Sequence, residues 1–371
     1  MGISMRISRR EFSKLGAMGL AAQMMPWVGL AQSGERKVGY CVIGLGTIAD
    51  HFMRGVLTSS NSRITGLVSG HRDKAERIAA QYGVPTSSIY SYEEMDRIRE
   101  NKAIDAVYVA LPNSMHAEYT IRSAKAGKHV LCEKPMSTTV KEAEDMIAAC
   151  KAANVKLMIA YRLHYEPLNL KAIQLIRGGA LGKIGTINGA FGFNSPPGVW
   201  RLNKKLAGGG SLFDVGIYVL NATRYLSGEE PTGFTGVIGT AEKGDPRFSE
   251  MEESISWTER FPSGLVATGS STYGTEMPGY VKVFGPKGTL EIGPFNYDGV
   301  RLRGSYFEGR GGRKTEIDEL NPEKDPMQFT REANHFSECV LTNKTPSSPG
   351  EEGLRDMRYI VAIYKSAGVN L

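Results

Sequence analysis

The chain has 371 residues, of which 41% are hydrophobic and 23% charged, and its formal net charge is +6 at pH 7. That length exceeds what one ordinary domain needs, so we expect two globular domains. The four cysteines and six histidines show no spacing typical of a metal site, and we expect reduced, mostly buried thiols. The cysteines are Cys41, Cys132, Cys150 and Cys339.

The N-terminal residues predict export from the cytoplasm. Arg9 and Arg10 precede a mildly apolar stretch, residues 15–30, that ends in small residues. This pattern resembles a twin-arginine signal over residues 1–31, and a basic amphipathic N-terminus is the alternative. Glycines and Pro26 interrupt the stretch, which makes it a poor membrane-spanning helix.

An export signal has consequences for location and charge. The twin-arginine machinery exports folded proteins, so we expect a periplasmic protein that acquires its cofactor before export and has no stable membrane anchor. Cleavage after Ala31 would remove four cations and one anion and lower the formal net charge from +6 to +3. The basic composition is therefore no argument for nucleic acid as a partner.

A glycine-rich turn follows the first β-like run. Val38, Val42 and Ile43 are β-branched, and they lead into Gly44-Leu45-Gly46-Thr47-Ile48-Ala49. In this G-x-G-x-x-A pattern the first glycine allows a tight turn, the second lets the backbone approach a pyrophosphate, and the alanine keeps helix and strand close. The phosphates would lie at the helix N-terminus. The sequence thus predicts a dinucleotide site.

The end of the second predicted strand, residues 64–68, indicates which dinucleotide binds. Ser69 occupies the position at which an acidic residue would bind the ribose diol of NAD. Gly70, Arg72 and Lys74 follow, and a hydroxyl with two cations suits the 2′-phosphate of NADP. A solvated helix start is the alternative interpretation; we predict NADP.

Strands and helical patterns alternate up to residue 157, which predicts an α/β domain with a parallel, Rossmann-type sheet over residues 37–157. The further predicted strands are residues 104–111 and 128–132, and the predicted helices are residues 116–126 and 140–153.

From residue 158 to residue 371, segments rich in β-forming residues dominate. Residues 262–264 and 285–288 have the composition of hairpin turns. We therefore expect an α+β domain with a largely antiparallel, open sheet. Residues 304–314, rich in glycine and arginine, are expected to form a loop. The predicted strands are residues 183–193, 232–240, 253–261, 264–273 and 280–284.

Polar residues follow two strands of the first domain, at the edge where α/β sheets bind ligands. One run is Leu111-Pro112-Asn113-Ser114-Met115-His116, and the other is Glu133-Lys134-Pro135. A lysine held before proline at this edge would face the nicotinamide, although a lysine after a strand is usually solvated. Further along, Asp214 and Tyr218 are four residues apart on a predicted helix and share one face. A capping aspartate and a core tyrosine are the alternative.

These motifs together resemble the Gfo/Idh/MocA family of oxidoreductases over nearly the whole chain after the signal. The resemblance rests on the glycine turn, on Pro112-Asn113-Ser114-x-His116, on Glu133-Lys134-Pro135 and on Asp214-x-Gly216-x-Tyr218. Tyr161-Arg162 and Trp200-Arg201 are similar to the branch that contains glucose-fructose oxidoreductase and exported aldose-aldose oxidoreductases.

The resemblance implies tightly held NADP and a ping-pong cycle, in which one aldose is oxidised to its lactone and a second sugar or carbonyl compound takes the hydride back. It implies Lys134 and Tyr218 as the catalytic pair, with Asp214 beside them. Arg162 and Tyr165 join these three as implied substrate contacts. The implied cofactor contacts are Gly44, Leu45, Gly46, Thr47, Ile48, Ser69, Gly70, Arg72, Lys74, Tyr92, Leu111, Pro112, Asn113, His116, Glu133, Lys134, Arg162, Trp200 and Arg201.

The required chemistry agrees with this assignment. Removing hydride from an anomeric C–H requires a base for the hydroxyl on that carbon. A free phenol, with a pKa of ~10, is a poor base near neutrality, and an adjacent ammonium favours the phenolate form. Lys134 would supply that charge beside Tyr218. Many family members have histidine at the position of Tyr218, where this chain agrees with the glucose-fructose branch.

Two other classes of function remain open, an ordinary dehydrogenase that releases NADP and a non-catalytic sugar or redox sensor. The acid/base residues argue against a sensor, and export argues against release because free NADP is scarce outside the cytoplasm. For assembly, only residues 32–36 separate the predicted cleavage site from the first strand, whereas glucose-fructose oxidoreductase has a long N-terminal arm. We therefore expect a homodimer through the open second sheet.

Overall fold

The computed structural model describes residues 36–308 and 312–371, so the predicted export signal lies outside the described residues. The first sheet consists of β1 (Val38–Ile43), β2 (Ser62–Val68), β3 (Ile89–Tyr90), β4 (Ala106–Val109), β5 (His129–Glu133) and β6 (Leu157–Ala160). All neighbours are parallel, in the order β3-β2-β1-β4-β5-β6. β1 is buried along its whole length, as expected for a parallel sheet covered on both faces. The predicted Rossmann-type sheet is confirmed.

Four helices connect these strands, namely α1 (Thr47–Leu57), α2 (Arg72–Tyr82), α3 (His116–Lys125) and α4 (Val140–Ala152). The helices predicted at residues 116–126 and 140–153 are confirmed, each ending one residue earlier. α4 begins with a capping box, in which the Thr139 hydroxyl accepts from the Glu142 N–H (3.1 Å) and the Glu142 carboxylate accepts from the Thr139 N–H (3.0 Å). This pair satisfies two N–H groups at the helix start.

The second sheet consists of β7 (Thr186–Gly192), β8 (Gly233–Gly239), β9 (Ser254–Arg260), β10 (Val266–Thr272), β11 (Met277–Gly285), β12 (Gly288–Gly293), β13 (Arg301–Phe307) and β14 (Lys314–Leu320). Their order is β14-β13-β12-β11-β7-β10-β9-β8, and only the pair β7 and β10 is parallel among these described strands. The expected largely antiparallel sheet and both hairpin turns are confirmed.

The loop expected at residues 304–314 is wrong in part, because β13 continues to Phe307 and β14 begins at Lys314; residues 309–311 lie outside the described residues. Gly304 is part of the strand, where it pairs with Leu290. A Cβ at this position would lie 2.0 Å from the Thr289 oxygen. The glycine therefore permits close pairing with β12, and it does not mark a break in the strand.

Five further helices complete the described fold, namely α5 (Pro167–Arg177), α6 (Lys204–Ala207), α7 (Ile217–Ser227), α8 (Met327–Thr342) and α9 (Gly350–Ser366). α5 and α7 pack on one face of the second sheet, whereas α8 packs on α1 and α9 on α4. The Tyr40 hydroxyl lies 2.9 Å from the Ser337 hydroxyl, which joins β1 to α8. The last two helices thus return to the first sheet, which ends at Ala160.

One face of the second sheet is open. Val266, Tyr280 and Phe307 are exposed, whereas Trp257 and Ala267 are buried on the helix side. All four cysteines are free and buried, as expected. Among the described residues, no helix is long and apolar enough to cross a bilayer.

Candidate active site

A cavity of about 460 Å³ lies at the carboxyl ends of β4 and β5, where the two sheets meet. Its wall combines residues that follow strands of the first sheet with residues of β7, α7 and the segment between β12 and β13. Most of the residues predicted for the nicotinamide end and the substrate line this one cavity. They are Thr47, Ile48, Leu111, Asn113, His116, Glu133, Lys134, Arg162, Trp200, Arg201, Asp214 and Tyr218.

The glycine turn has the geometry that a pyrophosphate needs. Gly44 has a φ of +86°, and a Cβ there would lie 2.4 Å from the Ala110 oxygen. Gly46 caps α1, and a Cβ there would meet nothing within 4 Å. The open space beside Gly46 faces the first N–H groups of α1, which have no partner within the helix. With Leu45 buried beneath the turn, these residues fit a dinucleotide phosphate.

The predicted 2′-phosphate residues lie outside this cavity, at the end of β2. Ser69 is buried and its hydroxyl accepts from the His71 N–H (3.1 Å). A Cβ on Gly70 would lie 3.3 Å from the Tyr92 ring. Gly70 therefore lets the Tyr92 ring approach the turn that follows Ser69. Arg72 is directed away, because its guanidinium pairs with Glu76 and donates to backbone oxygens of residues 86 and 89. Lys74 makes no hydrogen bond or ion pair with any described residue.

The run after β4 is held in place from both sides. The Asn113 amide donates to the Ala207 oxygen (2.8 Å), which attaches α6 to the cavity rim. Both ring nitrogens of His116 face backbone oxygens, of Pro135 at 2.8 Å and of Leu111 at 2.9 Å. Burial lowers the pKa of His116, whereas the two backbone oxygens raise it. His116 ties the segment after β4 to the segment after β5.

Lys134 is the buried cation of the site. Its Nζ donates to the backbone oxygen of Asp214 (2.7 Å) and to the Asp214 carboxylate (2.9 Å), and lies 4.7 Å from the centre of the Tyr218 ring. Burial alone would lower the pKa of Lys134, but Asp214, Tyr218 and Glu133 outweigh burial and raise the pKa to about 12. Lys134 is thus charged at any physiological pH.

The Asp214 carboxylate connects three other side chains. One oxygen accepts from Lys134, and the other accepts from Arg201 Nε (2.7 Å) and from the Tyr273 hydroxyl (3.1 Å). Burial would raise the pKa of Asp214, yet Lys134 and Arg201 hold it well below its usual range. Asp214 therefore stays ionised and fixes Lys134 in position.

A π-helical turn, Leu212–Gly216, carries Asp214 and leads directly into α7. Gly216 lets this turn approach β10, because a Cβ there would lie 2.7 Å from the Ser271 hydroxyl. Asp214 and Tyr218 consequently both face Lys134. The sequence predicted a helix that carries both residues, but periodicity alone does not distinguish a π-turn from an α-helical one.

Arg162 is buried beneath Tyr218. Its Nε donates to the Tyr218 hydroxyl (3.2 Å), and its other donors bind the Phe295 oxygen (2.6 Å), the Asn296 oxygen (3.0 Å) and the Gln328 side chain (2.6 Å). All of these acceptors belong to the protein. Arg162 therefore contacts Tyr218 and the segment between β12 and β13.

Tyr165 does not line the cavity. Its hydroxyl lies 2.8 Å from the Ser347 hydroxyl, and its ring packs in the core of the first sheet. Glu133 does line the cavity, and its carboxyl accepts from the Tyr108 hydroxyl and from the Lys134 N–H. Burial raises the pKa of Glu133.

Several lining residues were not predicted. They are Phe191, Phe193, Val215, Phe295, Asn296 and Tyr297. Three of them lie in the short segment between β12 and β13, where an aromatic, polar and aromatic sequence follows Pro294. That cluster is the signal that could have indicated them, but only the fold brings it to the first sheet.

Comparisons with known proteins agree with the fold. Residues 38–161 match the model of an oxidoreductase family with an NAD-binding Rossmann fold, and residues 169–291 match the GFO/IDH/MocA C-terminal domain. These matches, with the dinucleotide turn, define an oxidoreductase with an NAD(P)-binding domain. The chain belongs to the Gfo/Idh/MocA oxidoreductase family.

Individual relatives were also compared. A solved structure of aldose-aldose oxidoreductase from Caulobacter crescentus, complexed with glycerol, is 45% identical and superposes with a TM-score of 0.84, covering 91% of this chain and 100% of that one. A D-xylose 1-dehydrogenase of Haloarcula marismortui, named for NADP(+), is 30% identical over 90% of this chain and 92% of its own. A second such enzyme, from Haloferax volcanii, is 30% identical over 88% of this chain and 96% of its own.

Proposed function

We propose that the protein is an NADP-dependent sugar oxidoreductase that oxidises an aldose at C1 to its aldonolactone, retains the cofactor and passes the hydride to a second sugar or carbonyl compound. The observation that carries this proposal is the buried group of Lys134, Asp214 and Tyr218 at the cavity. The name of the Caulobacter crescentus aldose-aldose oxidoreductase, at 45% identity, supports an aldose as hydride donor and as acceptor.

The choice of NADP is supported by the end of β2. No carboxylate occupies the position of Ser69, where NAD-binding sheets place one for the ribose diol. Lys74 has no partner among the described residues, so its ammonium is available to a 2′-phosphate, and Tyr92 lies over Gly70. The name of the haloarchaeal xylose dehydrogenase includes NADP(+). Arg72, by contrast, is engaged on α2.

In the oxidative half-reaction, the Tyr218 oxygen takes the proton of the hydroxyl on the anomeric carbon, which lets the hydride leave the same carbon. NADP supplies the acceptor for that hydride when it is bound. The Lys134 ammonium lies 4.7 Å from the ring centre, where it attracts the negative charge that develops on the Tyr218 oxygen as the proton is taken. Asp214 orients this ammonium through two oxygens. A general base in such a position contributes ~10²–10⁴ in rate.

In the reductive half-reaction, the Tyr218 phenol returns the proton to the carbonyl oxygen of the second substrate. Each cycle therefore moves one hydride and one proton from the first sugar to the second, without net release of either. A buried acid/base group suits this exchange because its proton does not have to reach bulk water between the two steps.

A dehydrogenase that releases NADP after each oxidation is the second candidate. The observation that favours it is the similarity to two haloarchaeal proteins named as xylose dehydrogenases. The acid/base chemistry would be the same in both cases, and the two differ in the fate of the cofactor.

We also propose export by the twin-arginine machinery to the periplasm, and assembly as a homodimer. The paired arginines before an apolar stretch support export, and the exposed Val266, Tyr280 and Phe307 on the open sheet support a dimer through that face. A light-scattering mass equal to one chain would contradict the dimer.

Product analysis tests the function. Purified protein is incubated with xylose alone, with no cofactor added, and the aldonate and the alditol are quantified. We expect the two products in equal amounts, and Tyr218→Phe should form both more slowly by ~10²–10⁴. Aldonate that forms only when NADP is added would identify the releasing dehydrogenase, and no product from any aldose would contradict both candidates.

A further inference from the structure

Two cations lie next to the Tyr218 side chain, and they differ in how their charge is balanced. Lys134 is paired with the Asp214 carboxylate. The guanidinium of Arg162 lies 5.0 Å from the centre of the same ring and donates to its hydroxyl through Nε (3.2 Å). Among the described residues, Arg162 has no carboxylate within 4.0 Å. Its other hydrogen bonds go to two backbone oxygens and an amide.

Such a charge is costly to bury. Arg162 is only 5% exposed, and a buried cation without a counter-ion loses hydration that neutral acceptors restore only in part. Residues in this state are retained mainly where the charge acts on a ligand or a reacting group. A nearby anion would balance the charge of the Arg162 guanidinium.

Two carboxyl groups influence Arg162 from a greater distance, Glu133 at the end of β5 and Glu332 on α8. Neither reaches the guanidinium. Burial raises the pKa of both groups, which favours their neutral acid forms. Neither one therefore forms a contact ion pair with Arg162.

We propose that the anion is the phenolate of Tyr218, and that Arg162 is a positioning residue that stabilises this form for the proton transfer. The inference rests on the proposed function, in which Tyr218 is the base. A hydrogen bond from guanidinium to phenolate is charge-assisted, and such bonds are roughly twice as strong as neutral ones. The bond also sets a direction: because Nε occupies one lone pair of the oxygen, the phenol's own proton points away from Arg162.

The geometry fixes Arg162 more firmly than a sugar-binding arginine would need. Its two terminal nitrogens donate to the Phe295 and Asn296 oxygens and to the Gln328 side chain. The Gln328 amide in turn donates to the Asn296 and Tyr297 oxygens (3.2 Å each). The ring of Tyr297 stacks on the guanidinium at 4.6 Å. Four of the five guanidinium N–H groups of Arg162 are bound in this way, and Nε is the one directed at the reacting residue.

The test uses the pH dependence of kcat/KM for aldose oxidation in the wild type, Arg162→Met and Arg162→Lys. The charged groups facing Tyr218 are Lys134, Arg162 and, through Lys134, Asp214; Tyr297 and Glu133 are the titratable neighbours. Removing this cation takes away its Coulombic stabilisation of negative charge on the Tyr218 oxygen. We expect the rising limb of the Arg162→Met profile to move up by about 1–3 pH units.

The controls separate charge from structure. Arg162→Lys keeps the charge and should move the limb less than Arg162→Met. Gln328→Leu removes one acceptor of Arg162 but leaves the charge of Arg162. We therefore expect the rising limb of the pH profile to stay in place even if kcat/KM falls. A fall in kcat/KM of Arg162→Met that is equal at every pH, with the rising limb of the profile unmoved, would overturn the proposal. A structural or sugar-binding role of Arg162 predicts that result.

A second readout does not depend on sugar turnover. Tyrosinate absorbs near ~295 nm, so the difference between alkaline titrations of a protein and of its Tyr218→Phe counterpart isolates Tyr218. We expect this difference to appear at higher pH in Arg162→Met than in the wild type. If the titration shifts while no aldose is oxidised, the proposed function fails and the role of Arg162 stands. An unshifted titration would overturn the role of Arg162 whatever the activity.

Discussion

At the scale of single residues, the site depends on the carboxylate of Asp214. It accepts from Lys134, Arg201 and Tyr273, so one buried anion holds two cations and a phenol around the cavity. Without Asp214, Lys134 would be a cation in a low-dielectric pocket without its ion-pair partner, and burial disfavours a charged lysine there. The raised pKa of Lys134, about 12, is therefore a property of the pair.

Asp214→Asn tests this dependence. In the wild type the raised pKa of Lys134 means that its charge, and the stability it contributes, persist up to about pH 10 and are lost only above that. In the variant, burial loses the strongest group that opposes it, and the pKa of Lys134 falls. We expect kcat/KM to fall with rising pH between about pH 7 and about pH 10, where the wild type shows no such loss.

Asp318→Asn is the matched control for that measurement. Asp318 pairs with Arg301 on the exposed edge of the second sheet, so its loss should leave the pH profile unchanged. If the pH profile of kcat/KM for Asp214→Asn is parallel to the wild-type profile up to about pH 10, Asp214 does not keep Lys134 charged.

At the scale of elements, the turn between β1 and α1 has two glycines with different reasons for being glycine. Gly44 has a positive φ, and a Cβ there would overlap the Ala110 oxygen at 2.4 Å. Gly46 has an ordinary φ of −81°, and a Cβ there would meet no protein atom within 4 Å. The first glycine therefore serves the fold, and the second is needed only if a ligand occupies that space.

The pair Gly44→Ala and Gly46→Ala separates these roles. Gly44→Ala should lower the free energy of unfolding by about 1–3 kcal/mol or more, through backbone strain and overlap. Gly46→Ala should leave the melting temperature of the cofactor-free protein unchanged but weaken NADP binding, measured by calorimetry. Equal NADP affinity in Gly46→Ala and the wild type would contradict a pyrophosphate at this turn.

α7 is joined to the second sheet by Glu259 of β9. The Glu259 carboxyl lies 2.7 Å from the Thr223 hydroxyl of α7 and accepts from the Trp257 indole N–H (2.8 Å). Burial raises the pKa of Glu259 to about 7, whereas the unfolded chain ionises near ~4.3. The folded state thus holds a proton that the unfolded state has released, and stability falls as pH rises from about 4 to about 7.

Glu259→Gln resembles the protonated acid, because its amide can donate to Thr223, which itself donates to the Leu220 oxygen (2.8 Å). We expect the melting temperature of the variant to fall less between about pH 5 and about pH 8 than that of the wild type. The exposed Glu100→Gln serves as control and should follow the wild type. If the melting temperature of Glu259→Gln falls as steeply with pH as that of the wild type, Glu259 does not cause the pH dependence.

At the scale of the whole molecule, the sequence predicted both sheets and most of the cavity, because local signals marked them. The glycine turn, the alternating strands and helices, and the polar run around Lys134 are readable from neighbouring residues. What could not be predicted comes from distant segments, since Phe295 and Tyr297 reach the site only when the second sheet packs on the first. Tyr165 follows Arg162 closely in sequence, yet it packs in the core, because the short turn that carries both directs them differently.

The central claim is that a cofactor retained by the protein carries hydride between two sugars. The most direct measurement is the absorbance near ~340 nm, where reduced nicotinamide absorbs, of purified and desalted protein after one aldose is added with no cofactor. We expect a rise that corresponds to the protein concentration and that a second sugar or a lactone reverses. No rise without added NADP, followed by turnover when NADP is supplied, would contradict the central claim.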